Sequence, residues 1–441
     1  MSEASLVAKD VDHGAERYRR MRLAVLTSVA SKIVRLGSQT VIVAITLQHL
    51  GTTAYGLWVT AVAALGWLSW GQAGLAPGLT NAISAADGEE RLEDQGVYFT
   101  TALTLVFAIC MGLFVVAQVL LSVAGGTIVG LAGPQAGVDV ELRGQWEGFL
   151  QIALLLALLR IPLGIVESAF VGLQRVHVLR LFDIVGQAFT VGAAALLAQG
   201  HASKALYLLG VGLATELFVL VAGMYLVFKL RPSLRPALSK FDLHKSRQMV
   251  SLSGGYLIIQ VASYLVTSAG TLILAANHGP AAVSVFALTF LLYQMASGVW
   301  MMFITGLWGA LGEARSRGDW RWIKLAQRRL IWFSTACAAA FALGLAVFGN
   351  FTLTLWSSGK VQAEPVFLLC MALYTLVFSW AVVHAQILSA LNQVWSQLLA
   401  AMGNAAFVLA FGLWLVPPYG ATGLAVALMA ACALTTAWSF T

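Results

Sequence analysis

Lys32 and Arg35 stand in the middle of an unbroken apolar stretch, where positive charge is expensive. With Ser28 and Gln39 they follow one another at spacings of four, three and four, which places all four side chains on one stripe of a helix. Measured from Arg22 at about 1.5 Å per residue, the two cations lie roughly 15–20 Å along that helix. A charged side chain at the centre of a bilayer costs at least about 2.5–3.5 kcal/mol. Two explanations are open. The cations pair with buried carboxylates for packing alone, or they form the cationic wall of a polar cavity. Such a wall would hold an anionic group such as a phosphate, diphosphate or carboxylate.

Other charges inside apolar stretches are few. Arg160 is near the middle of the fourth stretch, with Glu167 two turns later on the same face. Glu216 is midway along the sixth, at about the depth of Arg160, so an Arg160–Glu216 pair is expected. Asp183 lies one turn after Arg180 and suits a pair within one helix. The other reading of Asp183 and Glu216 is a titrating carboxylate that couples transport to a proton or sodium gradient. The seventh stretch carries Gln260, Ser263, Tyr264, Thr267, Ser268 and Thr271 on one uncharged face, and the eighth adds Thr289, Tyr293 and Ser297 at four-residue steps. Hydroxyls and amides arranged so suit sugar hydroxyls, and they suit interhelical hydrogen bonds equally well. The expected site therefore has a cationic wall, Lys32 and Arg35 with Arg160. It also has a neutral lining of Ser28, Gln39, Gln260, Tyr264, Thr267, Thr271 and Tyr293.

These residues must be positioned by membrane-spanning elements. The chain has 441 residues, of which 59% are hydrophobic and 10% charged. Its mean hydropathy is +0.84. That balance, with long continuous apolar runs, predicts an all-α polytopic membrane protein and excludes a β-barrel. About twelve spans are expected, at 23–49, 53–84, 97–123, 148–171, 177–199, 204–228, 250–276, 281–311, 330–351, 364–388, 394–416 and 419–441. With the N-terminus inside, twenty Lys and Arg fall in inner segments and three, Arg143, Lys204 and Lys360, in outer loops. Both termini are then cytoplasmic. The basic balance is a topology signal and an attraction to anionic lipid, so no nucleic-acid partner is expected.

The basic, proline-bearing segment 230–249 divides the chain into halves at 1–229 and 250–441, each with six spans. A faint repeat lays LQRVHVLRLFDIVGQAF (173–189) over LNQVWSQLLAAMGNAAF (391–407). Halves of six spans share one orientation, and a binding site is expected between them. The segment GDWRWIKLAQRRL (318–330) reads as an interfacial helix or span extension, with a specific lipid-headgroup site as the other reading. Cys110, Cys337, Cys370 and Cys432 are scattered singly and read as packing residues. No phosphate-binding Gly-rich loop and no sizeable loop domain occurs. An enzyme is not expected, nor any cofactor beyond the ion gradient.

Three segments resemble a known family. LGTTAYGLWVTAVAALGWLSWGQAGLAPGLTNAISAADGE (50–89) is similar to the second span of bacterial polysaccharide flippases. These are the O-antigen-type, Wzx-like branch of the multidrug/oligosaccharidyl-lipid/polysaccharide (MOP) exporter superfamily. Gln72-Ala73-Gly74-Leu75 stands where that family carries Asp-Leu-Gly-Leu. RIPLGIVESAFVGLQRVHVLRLFDIVGQ (160–187) resembles its fourth and fifth spans, and PPYGATGLAVALMAA (417–431) its final helix. The resemblance implies two parallel six-helix bundles in a V shape, with a cavity lined mainly by spans one, two, seven and eight. It also implies alternating-access export of undecaprenyl-diphosphate-linked oligosaccharide across the bacterial inner membrane. Lys32, Arg35 and Arg160 would meet the diphosphate or acidic sugars. The expected partners are a polyprenyl-diphosphate-linked glycan and membrane lipids, and the expected state is a monomer. The rivals are an ion-coupled multidrug antiporter of the same superfamily and a membrane glycosyltransferase or polymerase.

Overall fold

Apolar residues recur along this chain without alternation, and in the computed structural model the long apolar runs are helices. The structure describes residues 3–65, 68, 75–132, 140–306, 318–390 and 394–438. Its α-helices are α1 (Glu3–Leu50), α2 (Thr52–Leu65), α3 (Ala76–Gly88), α4 (Leu92–Ala132), α5 (Val140–Gly172), α6 (Val176–Gln199), α7 (Lys204–Tyr225), α8 (Leu243–Gly306), α9 (Trp320–Trp356), α10 (Pro365–Ala390) and α11 (Val394–Trp438). No strand occurs among the described residues. Inside a bilayer each backbone N–H and C=O must be satisfied by the chain, and a helix does that within one segment. Nine helical stretches among the described residues are long and apolar enough to cross a membrane.

Two of the helices are pairs. α8 breaks at Gly279 (φ 76°, ψ 178°), directly before Pro280, and α11 at Gly420 (φ 56°, ψ −132°), after Pro417 and Pro418. Proline cannot donate to the preceding turn, and glycine accepts the left-handed backbone that the reversal needs. The two legs of α11 lie side by side, with Asn404 Nδ2 donating to Thr435 Oγ1 at 3.4 Å. Counted by legs, and with α2 and α3 taken as parts of one span, the described helices follow the twelve expected spans. Several boundaries differ: α1 begins at Glu3 rather than 23 and α8 at Leu243 rather than 250, and three further differences bear on the reading. The expected helix 53–84 is α2 and α3, two separate pieces. Segment 320–330 is the first turns of α9 and continues into the span without a break. The expected outer loop 124–147 is shorter, because α4 runs to Ala132 and α5 starts at Val140.

Pro162 lies inside α5. Its missing N–H deprives the Leu158 carbonyl, four residues back, of its helical donor. The Cys110 thiol of α4 donates to that carbonyl at 3.6 Å. Cys110 thus has a use beyond packing, as the weak donor that a proline in a neighbouring helix calls for.

The chain forms two compact units. Unit one holds residues up to Ile45 with Leu68–Gln118 and Leu154–Gly254; unit two holds Thr46–Trp67, Val119–Ala153 and Gly255 onward. Within unit one, the segment after α7 is fastened down. Arg231 pairs with Asp87 at 2.7 Å, Lys240 Nζ donates to the Ser233 carbonyl at 3.1 Å, and Leu234 is fully buried. The acidic turn between α3 and α4 is met locally. Arg91 bonds Glu89 at 2.7 Å and Asp94 at 2.6 Å, and the Glu89 hydrogen bond raises the Arg91 guanidinium above its usual range.

Within unit two, the end of α1 and all of α2 are anchored. Lys360 Nζ donates to the Gln48 carbonyl at 3.0 Å, capping the last turn of α1 where carbonyls lack helical partners. Ser284 Oγ donates to the Thr52 carbonyl at 2.6 Å. Gly56 sits so close beneath Pro280 that a Cβ there would run into the Pro280 carbonyl oxygen.

Candidate functional site

Unit one gathers its deep charges from four helices. α1 supplies Lys32 and Arg35, α5 supplies Arg160 and Glu167, α6 supplies Arg180 and Asp183, and α7 supplies Glu216. Arg160 lies between two carboxylates, with Nη2 2.6 Å from Glu167 Oε1 and Nη1 3.1 Å from Glu216 Oε2. All three are partly buried, so their charges must be satisfied by one another more than by water. Arg180 Nη1 reaches Asp183 Oδ2 at 2.7 Å, and the same oxygen lies 3.9 Å from Arg35 Nη2. The Asp183 side chain is 7% exposed and that of Arg35 is 53% exposed. Arg35 therefore holds Asp183 loosely, with about half of its side chain exposed.

Lys32 is different. It is half-buried, one turn from Arg35, and it makes no ion pair with any described residue. Ser28 and Gln39, on the same stripe, are also half-buried, and Ser31 beside them is buried at 3%. Four deep cations thus face three carboxylates, and the surplus is Lys32. Such a surplus attracts an anion, because a lone ammonium in a medium of low polarity gains more from a phosphate or carboxylate than it would in water.

Unit two carries the neutral polar face. A cavity of about 360 Å³ is lined by Val59, Val62 and Ala63 of α2, Tyr264, Ser268 and Thr271 of the first leg of α8, and Phe290 and Gln294 of the second leg. The Tyr264 hydroxyl donates to the carbonyls of Ala63 at 2.8 Å and Val62 at 3.1 Å. Those carbonyls belong to the last described turn of α2, so Tyr264 ties the first leg of α8 to α2. Tyr293 lies elsewhere. It is 2% exposed and ringed by Phe290, Tyr374 and Phe378 with centroids 5.2–5.5 Å apart, so it belongs to an aromatic core and does not line this cavity. Gln260 and Thr267 have side chains outside the described residues.

Of the expected residues, Lys32, Arg35, Asp183, Arg160 and Glu216 belong to one unit, and Tyr264 and Thr271 meet at one cavity of the other. The sequence left open whether Lys32 and Arg35 are met by substrate or by Glu216 and Asp183; in the structure Arg35 lies 3.9 Å from Asp183, a contact between helices far apart in the chain. The hydrogen bonds of Tyr264 to the Val62 and Ala63 carbonyls were missed, because they join helices far apart in the chain. No group of His, Cys, Asp and Glu suited to a metal ion occurs among the described residues.

No protein-family model and no curated protein matches the sequence. Solved structures do. A multidrug resistance MATE family transporter of the MOP superfamily, in an inward-facing conformation, aligns with a TM-score of 0.75 at 13% identity, over 93% of this chain and 96% of that one. The lipid II flippase MurJ, in an inward closed conformation, aligns with a TM-score of 0.75 at 11% identity, over 95% of this chain and 86% of that one. A MOP superfamily transporter from Pyrococcus furiosus, reported with a binding pocket of reverse polarity that suggests a different function, aligns with a TM-score of 0.66 at 13% identity over 95% and 94%. At such identities the likeness establishes the fold: this chain has the helical architecture shared by MATE transporters and the MurJ flippase.

Proposed function

We propose that this chain is a flippase that moves a polyprenyl-diphosphate-linked oligosaccharide across the bacterial inner membrane by alternating access, with both termini cytoplasmic. It would work as a monomer of two six-helix halves, 1–229 and 250–441, joined by 230–249. The observation that carries the reading is Lys32: a half-buried cation on a membrane helix, with no ion pair among the described residues, beside an arginine side chain that is about half exposed. A diphosphate supplies the missing negative charge. The neutral hydroxyls and amides of unit two suit the attached sugars, and the hydrocarbon tail needs no protein site because lipid surrounds the chain.

The loose Arg35–Asp183 contact of 3.9 Å suggests how transport could be coupled. When the diphosphate draws Arg35 away, Asp183 gives up one of its two cations, which leaves its carboxylate open to a coupling cation. Glu216, held by Arg160, is the alternative coupling carboxylate. The fold is shared with both the flippase and the MATE transporters, and a relative with reversed pocket polarity indicates that pocket charge divides function within it. The test is flipping of a fluorescent polyprenyl-diphosphate glycan in proteoliposomes. Wild-type protein should flip it, and K32A/R35A at matched incorporation should not. Equal rates in the two would sink the cationic-site mechanism.

A second reading, an ion-coupled exporter of organic cations, is favoured by Glu167, Asp183 and Glu216 in unit one and by the MATE neighbours. Dye efflux in a host lacking its own pumps separates the two. Robust efflux that survives K32A/R35A would select the exporter.

A further inference from the structure

We propose that the first four turns of α9 form a binding site for an anionic glycerophospholipid of the inner leaflet. This rests on the membrane-spanning reading and its orientation, and it is independent of what the chain transports. The Asp319 side chain caps α9 by accepting from the Trp322 N–H at 3.0 Å. From there the helix has two opposite faces. Ile323, Leu330 and Ser334 fall on one arc and are buried at 3%, 5% and 0%; the core there includes Val383 and Ile387 of α10. The opposite arc carries Arg321, Lys324 and Arg328, all exposed, and none makes an ion pair with a described residue.

The cationic arc does not end in water. On the same face, going up the helix, come Trp332 at 67% exposed, then Ala339, then Leu343 at 67%. From Trp332 to Leu343 is about 16 Å at about 1.5 Å per residue, close to half of a hydrocarbon core of about 30 Å. One ridge thus offers positive charge, an aromatic boundary and one leaflet's depth of apolar surface, in that order. Trp380 of α10 flanks the boundary. It is 44% exposed, and its Nε1–H donates to Thr335 Oγ1 at 2.7 Å. Tryptophans favour this level of a bilayer, and basic side chains beside it attract anionic headgroups. A solvated basic face would carry charge along its length, whereas here charge gives way to apolar surface within one turn of Arg328.

Purified full-length protein in phosphatidylcholine nanodiscs, titrated with phosphatidylglycerol, tests this by native mass spectrometry of the retained lipid. Wild type should retain phosphatidylglycerol. R321Q/K324Q/R328Q should need at least about tenfold more for the same occupancy, with phosphatidylcholine retention equal in both. Equal phosphatidylglycerol retention by the triple variant would overturn the proposal. So would displacement of the lipid by millimolar glycerol-1-phosphate, which would make the site one for free phosphate. Because the triple variant could misfold, the unaltered protein provides a second measurement. A photoactivatable phosphatidylglycerol should crosslink to the peptide containing Trp332–Leu343. Crosslinks confined to other helices would also overturn it.

Discussion

Lys32 and Arg160 show how the same problem, a cation inside a membrane helix, is solved in two ways. Arg160 is answered by Glu167 and Glu216. Removing it leaves two partly buried carboxylates facing each other, so R160A should lower stability by about 3 kcal/mol. Thermal unfolding in detergent checks that, and E167Q/E216Q with R160M should recover most of the loss. Lys32 has no such partner among the described residues, so K32A should cost little stability and should lower glycan flipping by tenfold or more. That split between stability and transport is what separates a binding residue from a packing one. The charged stripes were legible in sequence, and so were the pairs at helical spacing, such as Arg180–Asp183. For Lys32 and Arg35 the sequence offered Glu216 and Asp183 without choosing between them, because the partner across two helices depends on how α1 and α6 are rotated against each other.

At the scale of elements, several helices are tied to their neighbours at particular residues. Pro162 orphans the Leu158 carbonyl, and Cys110 donates to it at 3.6 Å. C110A should lower stability by about 0.5–1 kcal/mol, and C110S should retain most of it. Tyr264 donates to the Val62 and Ala63 carbonyls of α2, so Y264F should cost about 1 kcal/mol without changing the cavity's apolar walls. Gly56 is held under the Pro280 carbonyl, so G56L should push α2 off the first turn of the second leg of α8. Thermal unfolding in detergent should therefore show G56L less stable than wild type. Pro162, Gly56 and Pro280 are visible in the sequence as residues that disturb or crowd a helix. What they could not indicate was which neighbouring group would meet each of them, because that group comes from another helix. The two pieces of span two illustrate this: one apolar run became α2, which packs in unit two, and α3, which packs in unit one.

At the scale of the molecule, the proposed orientation predicts that cysteines placed at Lys360 and Lys204 are labelled by a membrane-impermeant maleimide in whole cells. Cysteines at Arg91 and Arg321 should be labelled only after permeabilisation. A reversed pattern would overturn the inner and outer assignments on which the lipid site depends. The sequence by itself determined the class of this protein. Apolar runs long enough to span a bilayer admit only helices there, since unsatisfied backbone groups are too costly in hydrocarbon, and the Lys/Arg imbalance sets an orientation. It also determined which residues are energetically out of place, because that depends on depth along a helix, which is counted in residues. Only the tertiary structure decided which of those residues are satisfied. Burial of Tyr293 among aromatic rings, the sharing of Asp183 by Arg180 and Arg35, and the lack of an ion pair to Lys32 among the described residues all depend on how helices distant in the chain pack. Such contacts are set by side-chain packing on helix faces, and no spacing along one helix encodes them.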